Sequence, residues 1–487
     1  MPRYSTPGVY IEEVPVFPPS IAPVATAIPA FIGATEKAVG KKGEDLTGKA
    51  VRITSLPEFQ AYYGGGAPKG VAIRVERHTT ADGTFKEYQV AWDADQPGQP
   101  DWYLYPSLQL YFANGGGPCY IYSIGDYAGA ATKAKFSDAI AALEAEDEPT
   151  LLVFPDAVKV ASDADHGAVV DAALASAEKM KDRFVIADVR NAVPGGTDDG
   201  AKVTANFRSN VKKGTPELAK YGAAYFPYLV TNVPFIVGDT EVDVKSYSNV
   251  KPKADGSLEK TPVDANKGKL SGLKIKDQES ALYSQIRSFV DAATMTLPPS
   301  GAIAGIYAQV DRTRGVWKAP ANVGVSLALA PAVPITNDLQ DGLNIDASTG
   351  KSVNVVRSFF GKGTMVWGAR TLAGNDGEWK YVNVRRFANF VEESVKKAVN
   401  AFVFEPNDAN TWVKVETMIE NFLSNQWRDG ALMGSKPDQA YRVEVGLGKT
   451  MSAQDVLDGY MIIEVYLAIV RPAEFIVLKF MQKMPEV

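Results

Sequence analysis

The chain has 487 residues, of which 46% are hydrophobic and 22% are charged. This composition is typical of a globular protein and too apolar for wholesale disorder, and the length suggests about three domains. The formal net charge of −6 argues against a surface for nucleic acid or anionic membranes, which is normally basic. One cysteine and two histidines exclude an intrachain disulfide and any multi-histidine zinc site within a single chain.

The N-terminal sequence and the longest apolar run both favour a soluble protein made in the cytoplasm. The first residues lack the basic and apolar regions of a signal peptide. The run Met461–Val470 contains Glu464 and falls well short of the roughly 20 residues that a membrane span needs.

The first 30 residues contain seven prolines, which argue against a helix. Between these prolines, Gly8–Val14 is a short β-prone run. We therefore expect residues 1–24 to form an extended arm with one strand. Such an arm needs another surface to lie on, because so short a segment buries little against itself.

A regular alternation of strands and helices follows the arm. Apolar runs at Cys119–Ile124, Leu151–Phe154 and Phe184–Ala187 predict strands, and helical spacing recurs within 133–147 and 169–180. This alternation is typical of βαβ units with a parallel sheet.

Two stretches rich in Gly, Pro and charged residues interrupt this pattern, at about 65–105 and 190–280. The first contains a possible hairpin turn at Asp82-Gly83. We expect both to be surface insertions, the second large enough for a subdomain. Insertions of this length are tolerable because loop-closure entropy grows slowly with loop size.

The last third of the chain has the clearest helical periodicity. Apolar residues between Phe387 and Phe402 predict one helix, and Asn407-Asp408 offers a cap for a second helix. Three later runs predict β-structure: Tyr441–Val445, Met461–Val470 and Glu474–Met484.

Several residues could carry chemistry, but each has a simpler structural interpretation. Gly448-Lys449-Thr450 resembles the end of a phosphate-binding loop, yet Val443 stands where that loop needs a glycine, so a turn is favoured. Asp156 and Asp188 end two predicted parallel strands, where α/β enzymes place ligands. No partner base accompanies them, and aspartate is also a common helix cap.

A second set of candidates is equally open to structural explanations. Asp163, Asp165 and His166 could hold a metal ion, but they more simply cap a helix that begins near Gly167. Cys119 lies in an apolar strand and is predicted to be an inert core thiol. A last group misses the EF-hand spacing and predicts a solvated loop: Asn337, Asp338, Asp341 and Asp346. No catalytic residue, metal or cofactor is therefore predicted.

Both ends of the chain are strand-forming, which is unusual for a closed monomer. Exposed strand edges pair readily with other chains, so strand addition between protomers is one interpretation. The other is that each strand folds back into a sheet of its own chain. An exchange between chains would be heterologous and would build rings or open helical filaments.

An ordered series of sequence blocks covers about residues 1–36, 105–190 and 280–487, and leaves the two insertions outside. The blocks are Thr6–Glu13, Asn114–Tyr120, Gly305–Ala308, Asp311, Arg314–Asn322, Val366–Leu372, Trp379–Arg386, Phe404–Asn407 and Pro472–Ile476. On these residues the chain resembles the contractile tail sheath proteins of phage tails, R-type pyocins and extracellular contractile injection systems. The brief arm is more similar to the extracellular particles than to large phage sheaths.

The resemblance implies a mixed α/β, tail-sheath-like fold in three parts. The parts are the arm at 1–24, an outward-facing α/β region at 25–355 that carries both insertions, and an α+β inner domain at 356–487 that surrounds a rigid tube. Strands of two subunits would be added to the inner-domain sheet of a third. One subunit would contribute Val9, Tyr10, Ile11, Glu12 and Glu13, and the other Phe475, Ile476, Val477, Leu478, Lys479 and Phe480.

The resemblance also implies a structural subunit rather than an enzyme. Such a subunit polymerises into a helical sheath of stacked hexameric rings and contracts from a metastable extended state, which drives the inner tube through a target envelope. The implied partners are other copies of the chain, the inner tube protein, baseplate and terminal cap proteins, and sheath paralogues, without nucleic acid or membrane insertion. The particle would be a phage tail or an extracellular injection system, assembled from protein made in the bacterial cytoplasm.

Two helices of the inner domain, at about 410–428 and 452–459, are candidates for the surface that faces the tube. Their polar candidates are Lys414, Glu416, Glu420, Asp455 and Asp458, although a solvated helix face explains these residues equally well. The alternative to a sheath subunit is a soluble α/β enzyme or ligand-binding protein with both termini folded in cis. A static tube or capsid-like protein is a third possibility.

Overall fold

The computed structural model describes residues 20–94, 98–192, 200–212, 215–273, 275 and 279–479. Within these ranges the chain forms the strands β1 (Pro29–Gly33), β2 (Ala50–Ile53), β3 (Val71–Thr79), β4 (Phe85–Trp92), β5 (Cys119–Ser123), β6 (Leu151–Val153), β7 (Phe184–Asp188), β8 (Gly222–Phe226), β9 (Leu229–Pro234), β10 (Val242–Pro252), β11 (Leu258–Pro262), β12 (Gly268–Lys269), β13 (Thr294–Leu297), β14 (Val323–Gly324), β15 (Ala328–Pro331), β16 (Val353–Phe359), β17 (Gly363–Val366), β18 (Tyr441–Val445) and β19 (Ile463–Leu467).

The α-helices of the same ranges alternate with these strands. They are α1 (Leu56–Tyr63), α2 (Leu104–Ala113), α3 (Lys133–Ala142), α4 (Asp163–Met180), α5 (Gly200–Asn210), α6 (Pro216–Ala219), α7 (Ser280–Asp291), α8 (Ser300–Arg314), α9 (Asn337–Asn344), α10 (Val382–Val399), α11 (Ala409–Arg428), α12 (Pro437–Ala440) and α13 (Ala453–Leu457). No helix of the described residues combines the length and the hydropathy that a bilayer crossing needs.

The largest sheet has nine strands in the order β14-β17-β16-β8-β7-β6-β1-β5-β2. The six strands from β16 to β5 are parallel, whereas β14, β17 and β2 run antiparallel to their neighbours. Every residue of β1, β6, β7 and β8 is buried, as expected for parallel strands covered on both faces. The predicted parallel sheet and its three strands are therefore confirmed.

Close helix packing covers this sheet. A Cβ atom on Gly301 or Gly305 of α8 would lie within 2.5 Å of a backbone carbonyl oxygen of α2, so glycine lets the two helices approach. Farther along α8, the Tyr307 hydroxyl forms a 2.8 Å hydrogen bond with the Tyr225 hydroxyl. Burial of these polar groups is tolerable because each has a partner.

Parts of the two predicted insertions combine into one sheet. The prediction of a surface insertion was wrong for residues 222–234 of the second stretch, because they form the buried central strand β8 of the nine-stranded sheet and the strand β9. β3 and β4 from the first insertion join β10 and β11 from the second in the order β11-β10-β3-β4. β10 runs parallel to β3, and β3 forms an antiparallel hairpin with β4. Gly83 has a φ of 91° in the hairpin turn, a conformation that favours glycine, and the hairpin at Asp82-Gly83 is confirmed.

The chain divides into two compact units. The larger unit comprises the described residues of 25–389 and 471–487, and the smaller unit those of 1–24 and 390–470. The predicted boundary at residue 356 falls inside the larger unit, because β16 and β17 extend the nine-stranded sheet. The division lies instead within α10.

The smaller unit has its own apolar core. The buried face of α11 includes Val415, Ile419 and Phe422, and the Phe422 ring lies 5.8 Å from that of Phe390. The Asp408 carboxylate accepts a 3.0 Å hydrogen bond from a backbone N–H of the first turn of α11, which confirms the predicted cap.

Two local predictions were wrong. Helix α4 begins at Asp163 rather than near Gly167, because the Ser162 hydroxyl accepts a hydrogen bond from a first-turn N–H and caps the helix there. The predicted solvated loop is partly helical: Asn337, Asp338 and Asp341 lie on α9, which is capped by the threonine before it. In that group only Asp346 lies in a turn, where it accepts hydrogen bonds from the two hydroxyl residues that follow it.

Candidate functional site

The two carboxylates predicted at strand ends cap helices inside the core. Asp156 accepts hydrogen bonds from the backbone N–H of Tyr103 (2.5 Å), just before α2, and of Ala34 (2.9 Å). Asp188 accepts from both the backbone N–H (2.8 Å) and the hydroxyl (2.5 Å) of Ser300, the first residue of α8. Burial raises the pKa of Asp156 to about 6 and that of Asp188 to about 7. Their oxygens are engaged by the fold, which favours the structural interpretation.

The first turn of α4 contains three candidate metal ligands, Asp163, Asp165 and His166, and each makes a different local contact. Asp163 forms an ion pair with Arg190, and the Asp165 carboxylate accepts a 2.8 Å hydrogen bond from the Ser162 hydroxyl. Burial, together with the positive charge of Arg190, lowers the pKa of His166 to about 4, so the imidazole is neutral near pH 7. Nowhere in the described part of the chain do three or more His, Cys, Asp or Glu residues come together as a metal site.

The phosphate-loop-like sequence forms a turn after β18. Gly448 has a φ of 76°, Lys449 lies 3.5 Å from Glu416 in an ion pair, and the Thr450 hydroxyl donates to the backbone oxygen of Ile462 (2.6 Å). Cys119 is buried in β5, and burial raises the pKa of its thiol, which keeps the thiol in its unreactive form.

The C-terminal tail, defined here as Arg471–Lys479, exposes a continuous apolar run. Its four residues Phe475–Leu478 expose 69–79% of their surface. Their backbone forms no hydrogen bond with another described residue, and the tail has no strand. An apolar run with free backbone groups is suited to joining the sheet edge of another chain.

Two parts of the predicted exchange segments lie outside the described residues: Phe480 of the tail and the whole arm run Val9–Glu13. Lys479 is the last described residue of the tail and is exposed.

The smaller unit contains a candidate receptor for such a strand, the two-stranded sheet β18-β19. Its antiparallel register runs from Tyr441↔Leu467 to Val445↔Ile463, and β18 packs against α11. Among the described residues, each of the two strands has one edge without a strand partner. Open strand edges of this kind are able to pair with a further strand.

Of the predicted tube-facing residues, three lie on α11. Glu416 and Glu420 are one helical turn apart, and Glu416 already pairs with Lys449. Partial burial and the negative charge of Glu416 raise the pKa of Glu420, which therefore favours a cationic neighbour. Lys414 is exposed and is two residues from Glu416, too few for the two to share a helix face.

The other two predicted residues lie at α13. Asp455 forms a capping box with Ser452, so this aspartate has a structural role. Asp458 follows the helix, is exposed, and accepts a 2.8 Å hydrogen bond from Gln454.

One residue at the tail was missed as an individual site. Glu474 was predicted only as the start of a strand, whereas its carboxylate forms an ion pair with Arg370 (2.6 Å) and accepts a hydrogen bond from Tyr381 (3.0 Å). The available signal was that Arg370, Tyr381 and Glu474 belong to three separate blocks of the family resemblance. Their meeting in space could not be inferred from those blocks one at a time.

Comparison with known proteins gives concordant matches. Residues 375–483 match the family model of the phage tail sheath C-terminal domain. The helical sheath structure of the anti-feeding prophage in its contracted state is 30% identical, with a TM-score of 0.64 over 99% of this chain and 100% of that chain. The contracted sheath complex of PVC, an extracellular contractile injection system, is 29% identical, with a TM-score of 0.61 over 99% of each chain.

A curated relative matches over a shorter stretch. The tail sheath protein of Vibrio phage KVP40 is 28% identical over 130 residues, which are 26% of this chain and 19% of that protein. The match thus spans about a fifth of the curated relative.

An exposed apolar tail and a sheet with open edges are features typical of a protein that assembles with other chains. The end-to-end structural match then identifies the family: the chain belongs to the contractile tail sheath proteins of contractile injection systems. It is a structural sheath subunit, and the alternative interpretation as an α/β enzyme is not supported.

Proposed function

We propose that the chain polymerises into a helical sheath of stacked hexameric rings around an inner tube and contracts from a metastable extended state. Contraction drives the tube through a target envelope. The observation that carries this proposal is the apolar run Phe475–Leu478, most of whose surface is exposed in the single chain. A continuous run of this kind usually marks an interaction site in a folded protein.

Strand exchange is the link between subunits. The tail of one copy and the arm strand Val9–Glu13 of another add to the β18-β19 sheet of a third. Main-chain hydrogen bonds supply affinity, and alternate side chains supply specificity. In an extended tail, Ile476 and Leu478 share one face and Phe475 and Val477 the other, so both faces of the added strand are apolar. The contact is heterologous and therefore propagates along the sheath.

The energy for contraction is stored during assembly rather than taken from a nucleotide. The Gly448–Thr450 segment is a turn whose lysine is paired with Glu416, and we assign the chain no catalytic activity. An extended lattice stores energy if a barrier separates it from a better-packed contracted lattice. Backbone strand pairing suits such a link, because it depends less than side-chain packing on the angle between two subunits.

The remaining assignments follow the same proposal. The smaller unit, residues 1–24 and 390–470, surrounds the tube, and the larger unit faces outward with its β11-β10-β3-β4 sheet. Partners are other copies of the chain, the inner tube protein, baseplate and cap proteins, and sheath paralogues. The protein is made in the bacterial cytoplasm and functions in a phage tail or an extracellular injection particle.

The test is a double substitution in the tail, Ile476→Ser with Leu478→Ser. Because both side chains are exposed in the single chain, we expect an unchanged melting temperature but no tubes in negative-stain electron microscopy. The matched control is Leu258→Ser, an exposed apolar residue of β11 in the insertion sheet, which should leave tube formation intact.

Other outcomes would contradict specific parts of the proposal. Normal tubes from the double variant, or from a chain lacking residues 1–14, would exclude strand exchange as the link. Only globular particles from the unmodified chain would contradict the sheath function. Tubes of one fixed pitch under all conditions would indicate a static structural protein.

A further inference from the structure

The tail is fastened one residue before its exposed apolar run. The Glu474 carboxylate accepts hydrogen bonds from four donor atoms. These are Arg370 Nε (2.9 Å to Oε1 and 3.1 Å to Oε2), Arg370 Nη2 (2.6 Å to Oε2), Asn344 Nδ2 (2.8 Å to Oε1) and Tyr381 Oη (3.0 Å to Oε2). The side chains of Arg370 and Glu474 expose only 6% and 21% of their surface. A two-pronged, largely desolvated pair of this kind is stronger and more directional than an exposed ion pair.

Arg370 is in turn held by the nine-stranded sheet. The buried amide of Asn354, in β16, accepts a 2.7 Å hydrogen bond from the Arg370 backbone N–H and donates a 2.7 Å hydrogen bond to the Arg370 backbone oxygen. The same amide donates to the backbone oxygen of Ala224 (3.2 Å), in the adjacent parallel strand β8. A continuous series of hydrogen bonds thus leads from the base of the tail into the parallel part of the sheet.

We infer that Glu474 is a positioning residue that fastens the base of the exchanged tail to its own subunit, and that tension on the tail passes through Arg370 and Asn354 into the nine-stranded sheet. This inference rests on the proposed exchange of the tail between subunits. Without the Glu474 contact, a pull on Phe475–Leu478 would first act on Arg471–Ala473, because the last backbone hydrogen bond before them is donated by the Val470 N–H to Ala431 (3.1 Å). With this contact, the tail leaves the subunit at Glu474. Movement of the neighbouring subunit is then transmitted to the nine-stranded sheet instead of extending an unfastened part of the tail.

The first test measures whether Glu474 holds the tail in the unassembled, full-length chain. Chymotrypsin cuts after Phe475 only if several residues on each side enter its active site, which requires Glu474 to detach. For Glu474→Gln we expect cleavage after Phe475 to be roughly tenfold faster, the size expected from weakening a charged hydrogen bond. Cleavage after Phe360, fully exposed between β16 and β17, is the internal reference and should not change.

Two further variants separate fastening from general stability. Asp163→Asn weakens another partly buried ion pair of the larger unit, Asp163–Arg190, and should leave tail cleavage at the level of the unmodified chain. Tyr381→Phe removes only one of the four donor atoms and should give a smaller acceleration than Glu474→Gln. If Glu474→Gln does not fold, Tyr381→Phe still tests the inference. Equal cleavage after Phe475 in all variants would overturn it.

The second test measures the assembled state. Tubes of Glu474→Gln should be shorter and should dissociate at lower urea concentration than tubes of Asp163→Asn, with similar melting temperatures of the two unassembled chains. Tubes of equal length and urea resistance would overturn the role of Glu474 in carrying tension, while the sheath function would stand. Absence of tubes from the unmodified chain would instead overturn the proposed function, and the cleavage experiment would still decide whether Glu474 fastens the tail.

Discussion

The nine-stranded sheet of the larger unit and the β18-β19 sheet of the smaller unit differ in how far their own chain encloses them. In the first, the central strands are parallel and completely buried. In the second, both strands alternate between less and more exposed residues and each has an edge without a strand partner among the described residues. The first sheet is completed by its own chain, whereas in our proposal the second receives strands from other chains.

This difference separates stability from assembly. Substitutions in the nine-stranded sheet, called the closed sheet below, should act on the free energy of unfolding of the single chain. Substitutions in the β18-β19 sheet, called the open sheet below, or in the tail should act mainly on polymerisation, since those surfaces are exposed until subunits meet. The Glu474 contact is of particular interest because it joins the exposed tail to the closed sheet.

The largest expected effect is in the closed sheet. Phe31, buried in β1, packs edge-on against Tyr111 with ring centroids 5.1 Å apart, and Phe31→Ala should lower the free energy of unfolding by about 3–5 kcal/mol because it leaves a cavity. Val465→Ala, at a partly buried position of β19, should cost only about 1 kcal/mol. Urea unfolding of the unassembled chains measures both values. Equal losses would contradict the distinction between the two sheets.

A second effect concerns how the free energy of unfolding depends on pH through Asp188, the last residue of β7 in the closed sheet. The pKa of Asp188 is about 7 in the folded chain, against an ordinary value of 3.8. Between about pH 4 and pH 7 the folded chain keeps a proton that the unfolded chain has lost, so the free energy of unfolding falls as pH rises through this window. In the Asp188→Asn variant the side chain stays neutral across this window and can still accept a hydrogen bond from the Ser300 N–H. The substitution should therefore remove part of the fall in the free energy of unfolding, of the order of 3 kcal/mol.

Urea midpoints across the same pH window test this expectation. Asp156, whose pKa is about 6, titrates in an overlapping range, so the single variant should keep a shallower slope that Asp156→Asn reduces further. Parallel pH profiles for the Asp188→Asn variant and the unmodified chain would show that the buried carboxylate does not set this dependence.

The smallest effect on stability is expected at the proposed tube-facing acids. Glu420→Lys and Asp458→Lys, made separately at exposed positions, should change the free energy of unfolding by less than about 0.5 kcal/mol. If α11 and the end of α13 face the tube, these charge reversals should reduce co-sedimentation with the inner tube protein. Glu259→Lys, in the exposed strand β11, is the control. Unchanged co-sedimentation of either variant would remove that residue from the interface.

Prediction from sequence was most successful where the signal is local. Short-range patterns predicted the apolar strands that alternate with helices, at 119–123, 151–153 and 184–188. They also predicted the cap at Asp408. Asp188 was correctly placed at a strand end, whereas Asp156 lies in the 3₁₀ helix that follows β6. The roles of both depend on Tyr103 and Ser300, which lie 53 and 112 residues away in the sequence. The start of α4 was missed because the serine cap at 162 was overlooked in favour of acidic residues that follow it.

The sequence by itself determined the periodicities of the helices and strands, the absence of a disulfide, and the family, since each of these depends on residue types at fixed short spacings. Only the tertiary structure decided that parts of the two insertions form one sheet, that the division into units lies within α10, and that Glu474 meets Arg370 across 104 residues of chain. The physical reason is that hydrogen bonds between strand edges and between charged side chains depend on distance in space. Many partners of suitable chemistry exist along the chain, and folding selects among them.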